Sequence, residues 1–163
     1  MIHKVLTSMI GYFGCDVRRI NHAIKVYGFA STICRCENLN QHDIEVTEIA
    51  AVLHDIGIPF SEKKYGSSIG KYQELEGPPI ARAILETLGT ETDTIARVCY
   101  LISNHHTYTK IDGVDFQILI EADFLVNIYE DEMDEKKVKS IKEKYFKTDT
   151  GLQLLDSMFV LIR

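Results

Sequence analysis

The segment Phe116-Gln-Ile-Leu-Ile-Glu-Ala-Asp-Phe-Leu-Val-Asn-Ile-Tyr129 constrains the fold more than any other part of the chain. At helical spacing it is apolar around almost its whole circumference, so the helix must be buried on most faces with other elements surrounding it. It is too short, and with Glu121, Asp123 and Asn127 too polar, to span a bilayer. A carboxylate buried in such a helix is costly unless it finds a partner. Asp123 and Asn127 stand four apart and share a face, so the polar groups are arranged rather than scattered. Two accounts of Asp123 are open at this point: a metal ligand, or a member of a buried ion pair or hydrogen-bonded network with Arg or Lys.

Punctuation predicts helices elsewhere. Asp16 is placed to cap a helix running to about Cys36, with Val17, Ile20, Ile24, Tyr27, Ser31 and Cys34 as its apolar stripe. Asp43 opens a second, which reaches Leu53-His54-Asp55 and stops at Gly57 with Pro59 just beyond. Ile56–Pro79 reads as a long loop, of which Gly57–Gly77 is expected to form part of a cleft wall. Pro78 and Pro79 open a helix to Leu88, closed by Gly89. Thr90-Glu-Thr-Asp93 resembles a capping box for a helix ending near Asn104. Asp115 is the cap expected for Phe116–Glu130, and Glu135–Phe146 and Asp149–Ile162 complete the set. No repeat and no alternating strand pattern interrupts this series. The expectation is an all-α bundle of about six to eight helices, one domain over 1–163, with a core in 16–130 and C-terminal helices 132–163 packed on it.

Composition narrows the classes. At 163 residues the chain is long enough for one sizeable core. A net charge of −6 argues against a nucleic-acid polymer as partner, although a local basic cluster or a cation can still draw a small anion into a cleft. The short apolar stretch near Met1 is followed by no cleavage pattern, so a cytoplasmic protein without a membrane span is expected. Cys34 and Cys36 are one residue apart, unlike zinc-binding pairs, and with Cys15 and Cys99 read as free thiols. An apolar side on the last helix (Leu152, Leu155, Phe159, Ile162), expected to be exposed, would permit a homodimer as well as a monomer.

Besides Asp123, three polar sites interrupt the apolar pattern. His54-Asp55 closes a helix whose preceding residues Ile49-Ala-Ala-Val-Leu53 are apolar. A His there suits the helix dipole, but a carboxylate in the last turn opposes it, and a nearby cation would remove the conflict. His22 lies off the stripe of its helix, bordered by Arg18 and Arg19. His105-His106 follow a helix end. His3 and His42 have no such context and receive no role.

In order, His22, His54-Asp55, Asn104-His105-His106 and Glu121-Ala-Asp123 resemble the HD-domain superfamily, over roughly residues 16–130. The flanking residues Ala51-Val-Leu-His-Asp-Ile-Gly57 and Leu119-Ile-Glu-Ala-Asp-Phe-Leu125 strengthen the likeness. The resemblance implies that His22, His54, Asp55 and Asp123 hold a divalent metal ion. A mixed N/O set of this kind suits Mn, Fe, Co, Ni or Zn. It also implies hydrolysis of a phosphomonoester or phosphodiester, a nucleotide among the candidates, by a metal-activated water.

Departures from the family pattern shape the details. Binuclear relatives place further His residues in two segments between the doublet and the final Asp; this chain has His105-His106 in one and Tyr72-Gln-Glu-Leu-Glu-Gly-Pro-Pro79 in the other. One metal ion is therefore the simpler expectation, with Glu74, Glu76 and His105 marking where a second would bind. Ile56-Gly-Ile-Pro-Phe60 lacks the Glu that some relatives carry after the doublet. His105 is the candidate for transition-state stabilisation or leaving-group protonation beside catalytic Asp55. Arg18, Arg19, Lys63, Lys64 and Lys71 are candidate phosphate contacts. The competing expectations are a di-iron oxygenase on the same scaffold and a non-catalytic metal- or nucleotide-binding regulator.

Overall fold

A computed structural model describes residues 1–159. Among them the chain forms nine α-helices, one 3-10 turn and no strand: α1 (Ile2–Phe13), α2 (Val17–Cys36), α3 (Gln41–Leu53), α4 (Ile58–Tyr65), α5 (Gly70–Thr87), α6 (Thr92–Ile102), the turn Tyr108–Lys110, α7 (Val114–Glu130), α8 (Glu135–Tyr145) and α9 (Asp149–Phe159). The all-helical expectation holds. As its apolar circumference requires, α7 lies inside, with α2 and α3 packed along it and α8 and α9 covering another side. Phe116, Ile118, Leu119, Ile120, Leu125, Val126 and Ile128 are all buried. Each such side chain contributes roughly 1.5–3 kcal/mol relative to exposure, before the entropy of ordering is set against it. Helix α3 is the second internal element, buried without a break from Val46 to Leu53.

Capping chemistry explains some ends and corrects others. Asp16 caps α2 as expected, accepting from the Arg19 N–H. For α3 the cap is Asn40, which accepts from the Asp43 N–H, so Asp43 sits in the first turn. Asp115 does not cap α7, whose N-cap position is Gly113; the Arg97 guanidinium holds Asp115 and Asp112 together. The expected box at Thr90–Asp93 does not form: Glu91 takes the N-cap position and makes no side-chain cap bond. Helix α1 lies before the first predicted element, because its N-cap position, Met1, offers no capping side chain to announce it.

Packing overrides periodicity in α2. Val17 is 62% exposed and Ile24 40%, and the buried face is His22, Ala23, Val26, Ala30, Ile33 and Cys34. The small residues Ala23 and Ala30 face α3 and α7, so the expected stripe is split: Val17 and Ile24 are exposed, Ile20 and Tyr27 pack at the edge of the core, and Cys34 is buried within it. His22 is therefore on the inner face.

The expected loop Ile56–Pro79 is mostly helix. Helix α4 fills 58–65, and α5 begins at Gly70 and runs through Pro78 and Pro79. Gly77 carries no Cβ to collide with the following proline ring, and tertiary contacts secure the first turns of α5. Glu74 accepts from the His106 N–H and the Thr107 hydroxyl, and the Gln73 amide donates to the Ser68 carbonyl. Two glycines permit the crossing. A Cβ on Gly57 would stand 2.7 Å from the Gly77 nitrogen and 2.8 Å from the Gln73 carbonyl oxygen, and one on Gly77 would stand 2.8 Å from an Ile102 methyl. The turn just after His54-Asp55 is thus pressed against the backbone of α5.

The C-terminal helices are pinned by Glu121. Its carboxylate accepts from the backbone N–H groups of Lys147 (2.6 Å) and Thr148 (2.9 Å), from the Gln117 amide and from the Thr148 hydroxyl. Helix α9 then lays Leu155 into the core, with Leu152 and Phe159 packed against it, so the apolar side expected to face solvent faces inward. Ile162, assigned to that side, lies outside the described residues.

Gly57→Ala is expected to destabilise the fold by roughly 1–3 kcal/mol through backbone overpacking, measured by urea denaturation. Gly28→Ala, in mid-α2 with nothing within 4 Å of the new methyl, should instead stabilise by roughly 0.5–1 kcal/mol. Glu121→Ala strands two N–H groups at the start of α9 and should cost about 1–3 kcal/mol in the same assay.

Candidate metal centre

Two helix ends, those of α3 and α6, and two helix interiors, those of α2 and α7, supply the imidazoles and carboxylates. His54 occupies the C-cap of α3, where the last carbonyls have no helical donor. Its Nδ1–H donates to the Ala51 carbonyl at 2.9 Å. His105, just past α6, repeats the device with the Ile102 carbonyl at 2.7 Å. In the middle of α2, His22 donates from Nδ1 to Glu130 Oε2 at 3.0 Å. With each Nδ1 carrying the donated proton, each Nε2 of the neutral rings is a bare lone pair.

Those lone pairs converge on two carboxylates. His22 Nε2 lies 3.2 Å and His54 Nε2 3.5 Å from Asp123 Oδ1, and the two nitrogens are 3.2 Å apart. Asp55 stands between two groups of donors: its Oδ2 is 3.6 Å from His22 Nε2 and 3.5 Å from His54 Nε2, and its Oδ1 is 3.6 Å from His105 Nε2. His22, His54 and Asp123 form one cluster able to hold a metal ion, and Asp55, His105 and His106 a second. Asp123 Oδ1 and His105 Nε2 are buried without a hydrogen-bond partner. Buried acceptors facing one another without a donor are what a divalent cation relieves, so the residues present fit such an ion.

Without a cation, protons take its place. Burial alone would depress the His54 pKa, but the neighbouring Asp55 and Asp123 carboxylates outweigh it and push the value up to about 9. His22 also rises: burial opposes this, and the Asp123 carboxylate beside its Nε2 overrides it. Burial favours the neutral forms of Asp55 and Asp123, yet both are held well below the usual carboxylate range, Asp55 by His54 and His105, Asp123 by His22 and His54.

A cavity of about 500 Å³ opens onto His22 and Asp55, walled by Arg18, Arg19, Gln73, Asn127 and Glu130 among others. Of the five basic residues expected at a phosphate, Arg18 and Arg19 reach it. Arg19 is fixed by Asp16 (2.6 Å) and Glu62 (2.7 Å), and Arg18 is exposed at the mouth. Lys63, Lys64 and Lys71 do not line it: a helix over 58–65 turns Lys63 and Lys64 to solvent, with Lys64 paired to Glu76. Neither Glu74 nor Glu76, the expected second-site carboxylates, joins a cluster; Glu74 secures His106 and Thr107, and Glu76 binds Lys64 and the Tyr65 hydroxyl. Glu130 was absent from the sequence expectations, although Asp123, Asn127 and Glu130 follow i, i+4, i+7 spacing and so share one face.

A profile of the HD domain matches residues 19–144, more than half of the chain. The chain belongs to the HD-domain family. Its fold is similar to the crystal structure of a predicted HD superfamily hydrolase from an uncultured Thermotogales bacterium, with 22% sequence identity and a TM-score of 0.70 over 97% of this chain and 84% of that one. No curated protein matches. No described helix of this HD domain is long and apolar enough to cross a membrane.

The raised His54 pKa predicts a pH signature in the metal-stripped protein. A group whose pKa climbs from 6.5 unfolded to about 9 folded stabilises fully below the lower value and loses that contribution as pH rises through the higher one. The stability advantage of metal-stripped wild type over His54→Gln should shrink across that window in thermal denaturation.

Proposed function

We propose that this HD domain is a metal-dependent phosphohydrolase acting on a phosphomonoester or phosphodiester, with His22, His54, Asp55 and Asp123 holding a divalent ion. The observation that carries the reading is the set of buried acceptors, Asp123 Oδ1 and His105 Nε2 above all, that have nothing to accept from. A bound ion supplies water activation and neutralises charge on a phosphoryl oxygen. The chain's own residues do the rest. Asp55 holds one oxygen toward His22 and His54 and the other toward His105, which fixes the centre at the floor of the cavity. Arg18 at the mouth offers a guanidinium to phosphate oxygens, while Arg19, already tied to Asp16 and Glu62, stiffens that wall. The polar walls suit a small phosphorylated substrate, a nucleotide among the candidates.

One observation favours a second reading. Because Asp55 faces both clusters, a two-metal centre is available, with His105 and His106 as its further ligands, as a di-iron oxygenase requires. Metal stoichiometry per chain and an iron-dependent visible spectrum separate the two.

Protein reconstituted with Mn²⁺, Fe²⁺, Co²⁺, Ni²⁺ or Zn²⁺ and assayed on phosphomonoesters, cyclic diesters and nucleotides should release product, and His54→Ala and Asp55→Ala should fall to background. Asp123→Asn should lose the metal while keeping a cooperative unfolding transition. Tight metal binding with no turnover on any of these substrates would overturn the hydrolase reading in favour of a regulator.

A further inference from the structure

The three inward-facing imidazoles do not obtain their tautomers in the same way. His54 and His105 stand at helix C-termini, where unpaired carbonyls three residues back, Ala51 and Ile102, take the Nδ1 proton. His22 lies in mid-α2, where the neighbouring carbonyls are committed to the helix ladder. Its Nδ1 partner must come from another element, and Glu130 at the end of α7 provides it, Oε2 accepting at 3.0 Å. The other oxygen of Glu130 is engaged by the Lys25 ammonium, one turn along α2 from His22. The Glu130 side chain is only 16% exposed, and both its oxygens are in use, so it is not free to act as a base toward a substrate. A carboxylate in the last turn of α7 also opposes the helix dipole, and Lys25 offsets that cost.

We infer that Glu130, held in place by Lys25, is a positioning residue for His22: it keeps the imidazole proton on Nδ1 and the Nε2 lone pair turned toward Asp55 and Asp123. The inference rests on the reading of His22 as a metal ligand. A carboxylate behind a ligating imidazole fixes its orientation and raises its basicity, and loss of such a partner typically costs 10–100-fold in metal affinity. In this arrangement α7 contributes to the centre twice, through Asp123 directly and through Glu130 by way of His22.

Calorimetric titration of Mn²⁺ into metal-stripped protein tests this. Glu130→Ala should weaken binding about 10–100-fold, while Glu130→Gln, whose amide oxygen still accepts the Nδ1 proton, should bind close to wild type. Long-range ¹H–¹⁵N NMR of the metal-stripped wild type, at a pH where the His22 ring is neutral, should show the Nδ1–H tautomer, and Glu130→Ala should shift it toward Nε2–H. Wild-type affinity in Glu130→Ala, equal losses in the Ala and Gln variants, or an Nε2–H tautomer in the wild type would each overturn the inference and leave Glu130 as an ion pair between α2 and α7. The wild-type NMR result decides the matter even if Glu130→Ala does not fold. His22→Ala isolates the underlying reading: if it retains full Mn²⁺ affinity, His22 is not a ligand and that reading fails, whereas lost affinity there with none lost in Glu130→Ala defeats the positioning role alone.

Discussion

A negative charge inside an apolar helix is the constraint on which the rest of the structure turns. Asp123 sits on α7 among Ile120, Ala122 and Val126, and removing a carboxylate from water into such surroundings costs several kcal/mol unless positive charge comes with it. No Arg or Lys is supplied at its Oδ1. The neighbours are imidazoles, which accept either a proton or a metal ion, and their geometry leaves the accepting side inward. The core therefore retains a site that wants a cation, built from groups whose charge can adjust to what occupies it.

Helix ends do much of the arranging. Backbone carbonyls left over at the C-termini of α3 and α6 orient His54 and His105, with no cost beyond ending the helix there. The close crossing of Gly57 and Gly77 then holds the turn that carries Asp55 against α5, so the doublet rests on a rigid support. Glu121 and Asp123 show how finely α7 is divided. Two residues apart, they point to different sides: one carboxylate is consumed by backbone N–H groups at the start of α9, the other faces the imidazoles. The same helix thus fastens the C-terminal elements and carries the centre.

Much of this was legible in the sequence because it depended on local chemistry. The apolar circumference of Phe116–Tyr129 dictated an internal helix, Asp16 announced the start of α2, and His54-Asp55 at the end of an apolar helix marked a place where a carboxylate needed a cation. That His22, His54, Asp55 and Asp123 meet was implied by the family resemblance rather than by local chemistry; their donor atoms approach to 3.2–3.6 Å, with Asp55 also facing His105. Less legible were the contributions of partners distant in sequence. Of the stripe Val17, Ile20, Ile24, Tyr27, Ser31 and Cys34, only Cys34 is fully buried; Ile20 and Tyr27 pack at the edge of the core, while Val17 and Ile24 give way to the small residues Ala23 and Ala30. Pro78 and Pro79 are ordinary helix openers, yet contacts from Glu74 to His106 and Thr107 secured a helix ahead of them.

What the sequence by itself determined, then, was the helical class and the central helix, since spacing and side-chain polarity act over a few residues; which polar residues meet was implied by the family resemblance. Only the tertiary structure decided that Lys63, Lys64 and Lys71 stay away from the cavity, that Asp55 divides its oxygens between two clusters, and that Glu130 stands behind His22. Those outcomes depend on how whole helices rotate and cross, and rotation is set by the fit of surfaces far apart along the chain.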